Sequence, residues 1–157
     1  MLSLDPPEHT TLTDRPDLAD RLRADTGLVP RFIEEMLRYD PPTHSLFRFV
    51  MQDTEAAGQK IPAGSVVMLM VGAANRDERQ FPDPDTFDLE RDTQGSAAFG
   101  HGAHFCIGMA LAKLEARLTL TGLLRRFRRL ERVEKAIAWN HTFTVRGPAT
   151  LLVRATV

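Results

Sequence analysis

Cysteine is nearly absent from this chain: one residue, Cys106, among 157. A lone thiol closes no internal disulfide, so a disulfide-stapled secreted scaffold is excluded and a reducing, cytoplasmic interior suits the chain. An excess of either charge is also lacking. Twenty Lys and Arg stand against 21 Asp and Glu, a formal net charge of -1, which argues against nucleic-acid or membrane-surface binding by bulk charge. No charged-then-apolar leader opens the sequence, and no apolar run approaches the roughly 18 residues of a membrane-crossing helix. The expectation is therefore no nucleic-acid partner and no membrane. No internal repeat is visible, so nothing points to a solenoid.

Proline, by contrast, is well represented. Ten prolines, from Pro6 to Pro148, break the sequence into short segments and forbid long uninterrupted helix. Residues 1–13 carry no period and a double proline, and read as loop. Asp14 is placed to cap a short helix over residues 15–24, with Leu18 and Leu22 on one face. Pro30 suits the first turn of a second helix, RFIEEMLRY, which turns Phe32 or Ile33, Met36 and Leu37 inward and stops before Pro41. LFRFVM (46–51) and VVMLMV (66–71) read as strands, the second one buried, joined by a turn-rich connection. Residues 75–91 pack charge and prolines around phenylalanine anchors, as pinned coil. The longest helix is expected over about 107–128, where Ile107, Leu111, Leu114 and Leu118 follow the helical period; Arg125, Arg126, Arg128, Arg129, Arg132 and Lys135 make its end basic. HTFTV and TLLVRATV read as two strands joined as a hairpin by RGPA. The expected fold class is α+β, mainly helical.

The thiol sits in FGHGAHFCIG (99–108), where a glycine-punctuated loop turns into the long helix. Unpaired first-turn N–H groups and the helix dipole both favour a thiolate at such a junction. By position alone the thiolate is a nucleophile, an axial metal ligand, or a small buried hydrophobe. A nucleophile needs a base and an orienting group, and His101 and His104 are near only in sequence. With Cys106 these histidines supply three zinc donors but no fourth at finger-like spacing. A lone axial thiolate on haem needs one cysteine and close backbone approach.

The stretch resembles the haem-binding loop of the cytochrome P450 family: phenylalanine, two residues, glycine, one residue, arginine or histidine, one residue, cysteine, one residue, glycine. These fall on Phe99, Gly102, His104, Cys106 and Gly108. The resemblance implies that haem b is the cofactor and Cys106 the catalytic axial iron ligand. It also implies that Phe99 packs beside the sulfur and that His104 meets a haem propionate. Gly100, Gly102 and Gly108 would let backbone amides approach the sulfur. The family's glutamate and arginine three apart on a helix fall on Glu35 and Arg38. By spacing alone these are a surface pair; the family gives them a buried lock with a meander arginine, here Arg76 in ANRDERQFPDPDTF. Arg48 falls where many bacterial members place a second propionate-binding arginine, its alternative being a strand-edge charge. His9 falls on the histidine of a further propionate motif whose arginine is replaced by Thr13.

The sequence also departs from the family. MLSLDPPEHT resembles a segment from the family's N-terminal half, and the chain then passes directly to residues that follow the family's long central helix. That helix, with its acid or amide and its threonine, has no counterpart here. Residues 1–13 therefore read as a remnant N-terminal segment and 14–157 as a C-terminal haem-binding domain of a truncated P450-like fold. The implied function is a haem-thiolate monooxygenase acting on a small organic substrate, supplied with electrons by a ferredoxin or flavin reductase type partner. The alternative is a truncated or degenerate haem-binding or association module without turnover, whose exposed apolar faces seek partners.

Overall fold

The computed structural model describes residues 7–133, 136–140 and 142–157, the first four by their backbone alone. Its elements run α1 (Pro7–Asp14), α2 (Pro16–Ala24), a 3-10 turn (Thr26–Leu28), α3 (Val29–Tyr39), β1 (Leu46–Phe49), β2 (Thr54–Ala56), β3 (Gln59–Ile61), β4 (Val66–Leu69), α4 (Val71–Ala74), a second 3-10 turn (Gly102–His104), α5 (Met109–Arg126), β5 (Arg129–Arg132) and β6 (Val153–Thr156). Helices outweigh strands, and the strands form three separate two-stranded antiparallel sheets: β1 with β4, β2 with β3, β5 with β6. Among the described residues no helix is long and apolar enough to cross a membrane.

The core is helical. Leu18, Ala19 and Leu22 of α2, Val29, Phe32, Ile33 and Met36 of α3, and Ala116, Leu120 and Leu124 of α5 bury together, joined by Leu12 and Leu89. The four-residue spacing of Leu18 and Leu22, and of Phe32 and Met36, turns each pair to one face, as the apolar period requires. Pro30 lies in the first turn of α3, where its missing N–H costs nothing. The helix ends at Tyr39, ahead of Pro41 and Pro42.

Several expectations are overturned. Residues 7–14 are helix rather than loop, and Leu12 is buried in the common core, so the boundary expected at 13/14 falls inside α1. Asp14 is not the cap of α2. Arg15 holds that position without a side-chain cap bond, its own N–H still donating back to Thr11 O at 2.9 Å. Asp14 instead pairs with Arg132 at 3.1 Å. The connection after β1 contains the β2–β3 hairpin. VVMLMV is a strand only as far as Leu69, and it is not buried. β1 and β4 pair only with each other, so Phe47, Phe49, Val66 and Met68 stand exposed on one side of the ribbon.

The C-terminal hairpin also differs from expectation. Val153–Thr156 pairs with Arg129–Arg132, a strand hidden in what reads as a basic helix end. The segment before it lies elsewhere, with Thr43 bridged to Val145 and Trp139 to Pro148. The basic run is therefore divided between the last turn of α5 and β5, and Lys135 lies outside the described residues. On α5 the buried residues are Ala116, Leu120 and Leu124, while Leu111, Leu114 and Leu118 are exposed, with Ile107 also exposed in the turn before the helix rather than in it.

Candidate functional site

The loop before α5 delivers the thiol. Gly100 and Gly102 have φ of 72° and 67°, the left-handed region where a Cβ is strained. These two turns fold the loop back so that Cys106 N–H donates to Phe99 O at 2.9 Å and Phe105 N–H to Gly102 O at 3.0 Å. Cys106 is free and exposed. A Cβ on Gly108 would lie 3.8 Å from its Sγ, so the sulfur sits close against the start of the helix. Cys106, Phe99, Gly100 and His104 line one open pocket of about 330 Å³, also lined by Ile33 and Leu37 of α3, Leu46 of β1, and Ala112 and Ala116 of α5.

The other expected site residues are less concentrated. Arg48 is half-buried on β1, on the same strand face as Leu46, and its Nη1 donates to Phe47 O at 2.9 Å. It does not line the cavity. The side chain of His9 lies outside the described ones. His101, His104 and Cys106 do not converge as a zinc site: among the described residues no group of three or more His, Cys, Asp or Glu is placed to hold a metal ion.

Behind the loop lies a buried ion-pair network. Arg38 and Glu35 are almost fully buried, joined by a bidentate pair at 2.7 and 2.8 Å. Arg38 Nη1 also donates to the carbonyls of Asn75 (3.0 Å) and Pro84 (2.9 Å), fastening α3 to the meander. The third member differs from the one expected. Arg76 donates to Tyr39 O at 2.9 and 2.7 Å, lies 4.0 Å from the Tyr39 ring and pairs with Asp85. Arg91 is the arginine that reaches Glu35, at 3.3 Å, while also donating to the carbonyls of Asp83 and Thr86. Asp88 N–H completes the carboxylate's partners at 2.9 Å. Chain reversal between Phe81 and Leu89 brings Arg91 back, and no local period signals that.

Asn75 is a positioning residue that spacing alone does not reveal. It is fully buried. Its Nδ2 donates to Leu37 O at 3.3 Å, and its Oδ1 accepts from Ala97 N at 2.7 Å. It therefore ties the last turn of α3 to the loop two residues before Phe99. Two residues beyond Asn75, Asp77 accepts from the Arg79 side chain and backbone N–H, which hold its carboxyl down to about 2 from the ordinary 3.8. A depressed carboxyl contributes stability above the ordinary value and loses it as pH falls from about 4 to about 2. Asp77 is solvent-screened, so the contribution is small. Carbon-13 titration of Asp77 should show a midpoint near 2 that rises in Arg79→Ala; an unchanged midpoint would show that the side-chain pair is not the cause.

A cysteine is thus presented by a left-handed glycine loop at a helix start, backed by a buried Glu–Arg network on the neighbouring helix. Comparison with known proteins gives the family. The cytochrome P450 family model matches residues 9–146, and the chain belongs to the cytochrome P450 family, whose cofactor is haem b. Relatives include 6-deoxyerythronolide B hydroxylase of Saccharopolyspora erythraea, 42% identical over 91% of this chain and 36% of the relative. Cytochrome P450 monooxygenase PikC of Streptomyces venezuelae is 47% identical over 73% of this chain and 28% of its own length. The structure of cytochrome P450 CYP109Q5 from Chondromyces apiculatus superposes with a TM-score of 0.93 and 47% identity, over 99% of this chain and 40% of that one. The chain spans about a third of the length of the curated relatives it matches.

Proposed function

We propose that this chain supplies the thiolate side of a haem monooxygenase centre, with Cys106 as the axial iron ligand. The observation that carries this reading is the exposed Cys106 thiol, sharing one cavity wall with Phe99, Gly100 and His104. The residues fit the group. Thiolate is an established axial donor to haem iron, and the left-handed glycines keep side chains off the loop where a flat macrocycle would lie. When bound, haem supplies the iron at which dioxygen is activated, and thiolate donation favours O–O cleavage.

The chain's own residues have distinct tasks. Cys106 donates the thiolate, and the Phe99 backbone orients it. Arg48 would pair with a propionate as a permanent cation, His104 would hydrogen-bond one through its ring, and His9 is assigned the same task by its sequence motif alone. Glu35, Arg38 and Arg91 hold the meander, and Asn75 positions the loop. Arg125 and Arg126, in the last turn of α5, offer an acidic ferredoxin or flavin reductase a cationic surface that would speed encounter. The whole protein then oxidises a small organic substrate with dioxygen in the cytoplasm, a reading supported by the hydroxylase and monooxygenase names of its relatives.

A second reading is favoured by the exposed line Ile107, Leu111, Leu114 and Leu118. On that reading the chain is a haem-binding or association module without turnover, because an apolar stripe of this kind marks a contact surface. The experiment adds haem b to the purified chain, reduces it and records the carbon monoxide difference spectrum. A thiolate-type band is expected, and haem binding without it would sink the ligand assignment. Oxygen-dependent product formation with a surrogate ferredoxin and reductase separates the two readings: turnover supports the monooxygenase, and its absence alongside a thiolate band supports the module.

A further inference from the structure

Lys113 belongs neither to the core nor to the Glu35–Arg38 network, yet it touches both walls of the thiolate cradle. Its Nζ lies 2.5 Å from Glu34 Oε1 on α3 and 5.4 Å from the centroid of the Phe99 ring. Phe99 is in turn fastened to the cysteine by the main chain, its carbonyl accepting from Cys106 N–H at 2.9 Å. Lys113, Phe99 and Cys106 line the same cavity. The side chains of the ion pair are 30% and 41% exposed, and a pair so exposed contributes little to folding. A cation within about 6 Å of a ring face is attracted to it, so the ammonium restrains the ring as well as the carboxylate.

We propose that Lys113 is a positioning residue for the thiolate ligand: Glu34 holds its ammonium, the ammonium holds the Phe99 ring, and Phe99 fixes Cys106. This rests on the reading of Cys106 as the axial ligand. Its consequence is electronic as well as steric. A cation held on the thiolate side favours the state carrying one more electron, and a ring held in place steadies the loop whose Phe99 carbonyl accepts from Cys106 N–H.

The test is spectroelectrochemistry of the haem-loaded chain in the native sequence and in Lys113→Met, Lys113→Arg, Phe99→Leu and the Lys113→Met/Phe99→Leu double variant. Lys113→Met should keep the thiolate-type band but shift the ferric–ferrous equilibrium about threefold toward ferric, roughly 30 mV lower for one electron. Lys113→Arg should keep the native potential, and in the Phe99→Leu background the Lys113→Met shift should be smaller, because only the direct effect of the charge remains. An unchanged potential in Lys113→Met overturns the proposal, and so does an equal shift with and without Phe99. A thiolate band with an unmoved potential defeats this inference alone, whereas absence of the band in the native chain defeats the ligand reading with it.

Discussion

Arg38→Met is expected to cost the fold about 3–5 kcal/mol, the range for removing one partner of a buried ion pair. Arg38 and Glu35 are at most 1% exposed, so water cannot take the place of the lost partner. The substitution leaves the Glu35 carboxylate with only Arg91 at 3.3 Å to balance its charge. It also strips the carbonyls of Asn75 and Pro84 of their donor, and buried acceptors left without partners are costly. Methionine approximates the aliphatic stem, so lost packing does not account for the effect. For a domain of this size each kcal/mol is worth roughly 2–4 °C, so the melting temperature should fall by roughly 6–20 °C. Denaturant titration of the cofactor-free chain measures the loss. Arg79→Ala, which breaks an exposed pair, is the control and should stay within about 0.5 kcal/mol. Equal effects from the two variants would show that the Glu35–Arg38 pair is not a structural lock.

Cys106→Ala is expected to abolish the thiolate-type carbon monoxide band completely while leaving the cofactor-free fold within about 0.5 kcal/mol of native. The two expectations separate because the side chain is exposed and supports no core contact. No other cysteine exists to substitute. Cys106→His should retain axial ligation with an imidazole-type spectrum, since the glycine loop still presents residue 106 at the start of α5. A thiolate-type band surviving in Cys106→Ala would overturn the assignment outright. Loss of the cofactor-free fold in both variants would place Cys106 in the structure rather than in the ligand set.

Much of this site could be read from residue order. FGHGAHFCIG carries its own local physics: glycines where φ turns positive, then a cysteine, then a helix start. Glu35 and Arg38 share a helical face because they are three apart, but their burial is a tertiary fact. Spacing alone makes them a surface pair. Arg76 illustrates the opposite error. It occupies the expected place in the meander, yet the loop turns its guanidinium to Tyr39 and brings Arg91 to Glu35 instead. The network's third arginine depends on how residues 77–91 reverse direction. Asn75 and Lys113 act across elements, through Leu37 and Ala97 in one case and Glu34 and Phe99 in the other; Asn75 falls within the meander motif ANRDERQFPDPDTF, but its contacts, like those of Lys113, are not marked by any local period.

The strands divide in the same way. Arg129–Arg132 looks like the basic end of a helix, and becomes a strand because Val153–Thr156 is available to pair with it. VVMLMV has the composition of a buried strand, but its strand part, Val66–Leu69, is largely exposed and only Val71, at the start of α4, is buried, since burial depends on what other elements cover it and β1 covers only one edge. The period of Ile107, Leu111, Leu114 and Leu118 is legible, but α5 starts only at Met109, and the side it turns to the core is the one bearing Ala116, Leu120 and Leu124. By itself the sequence determined the thiol, its glycine loop, the helical faces of α2 and α3 and the family resemblance, because these rest on neighbours a few residues apart. Only the tertiary structure decided which arginine closes on Glu35, which strands pair and which face of α5 is buried. Those choices depend on contacts between distant segments, whose free energies are settled jointly by packing and desolvation.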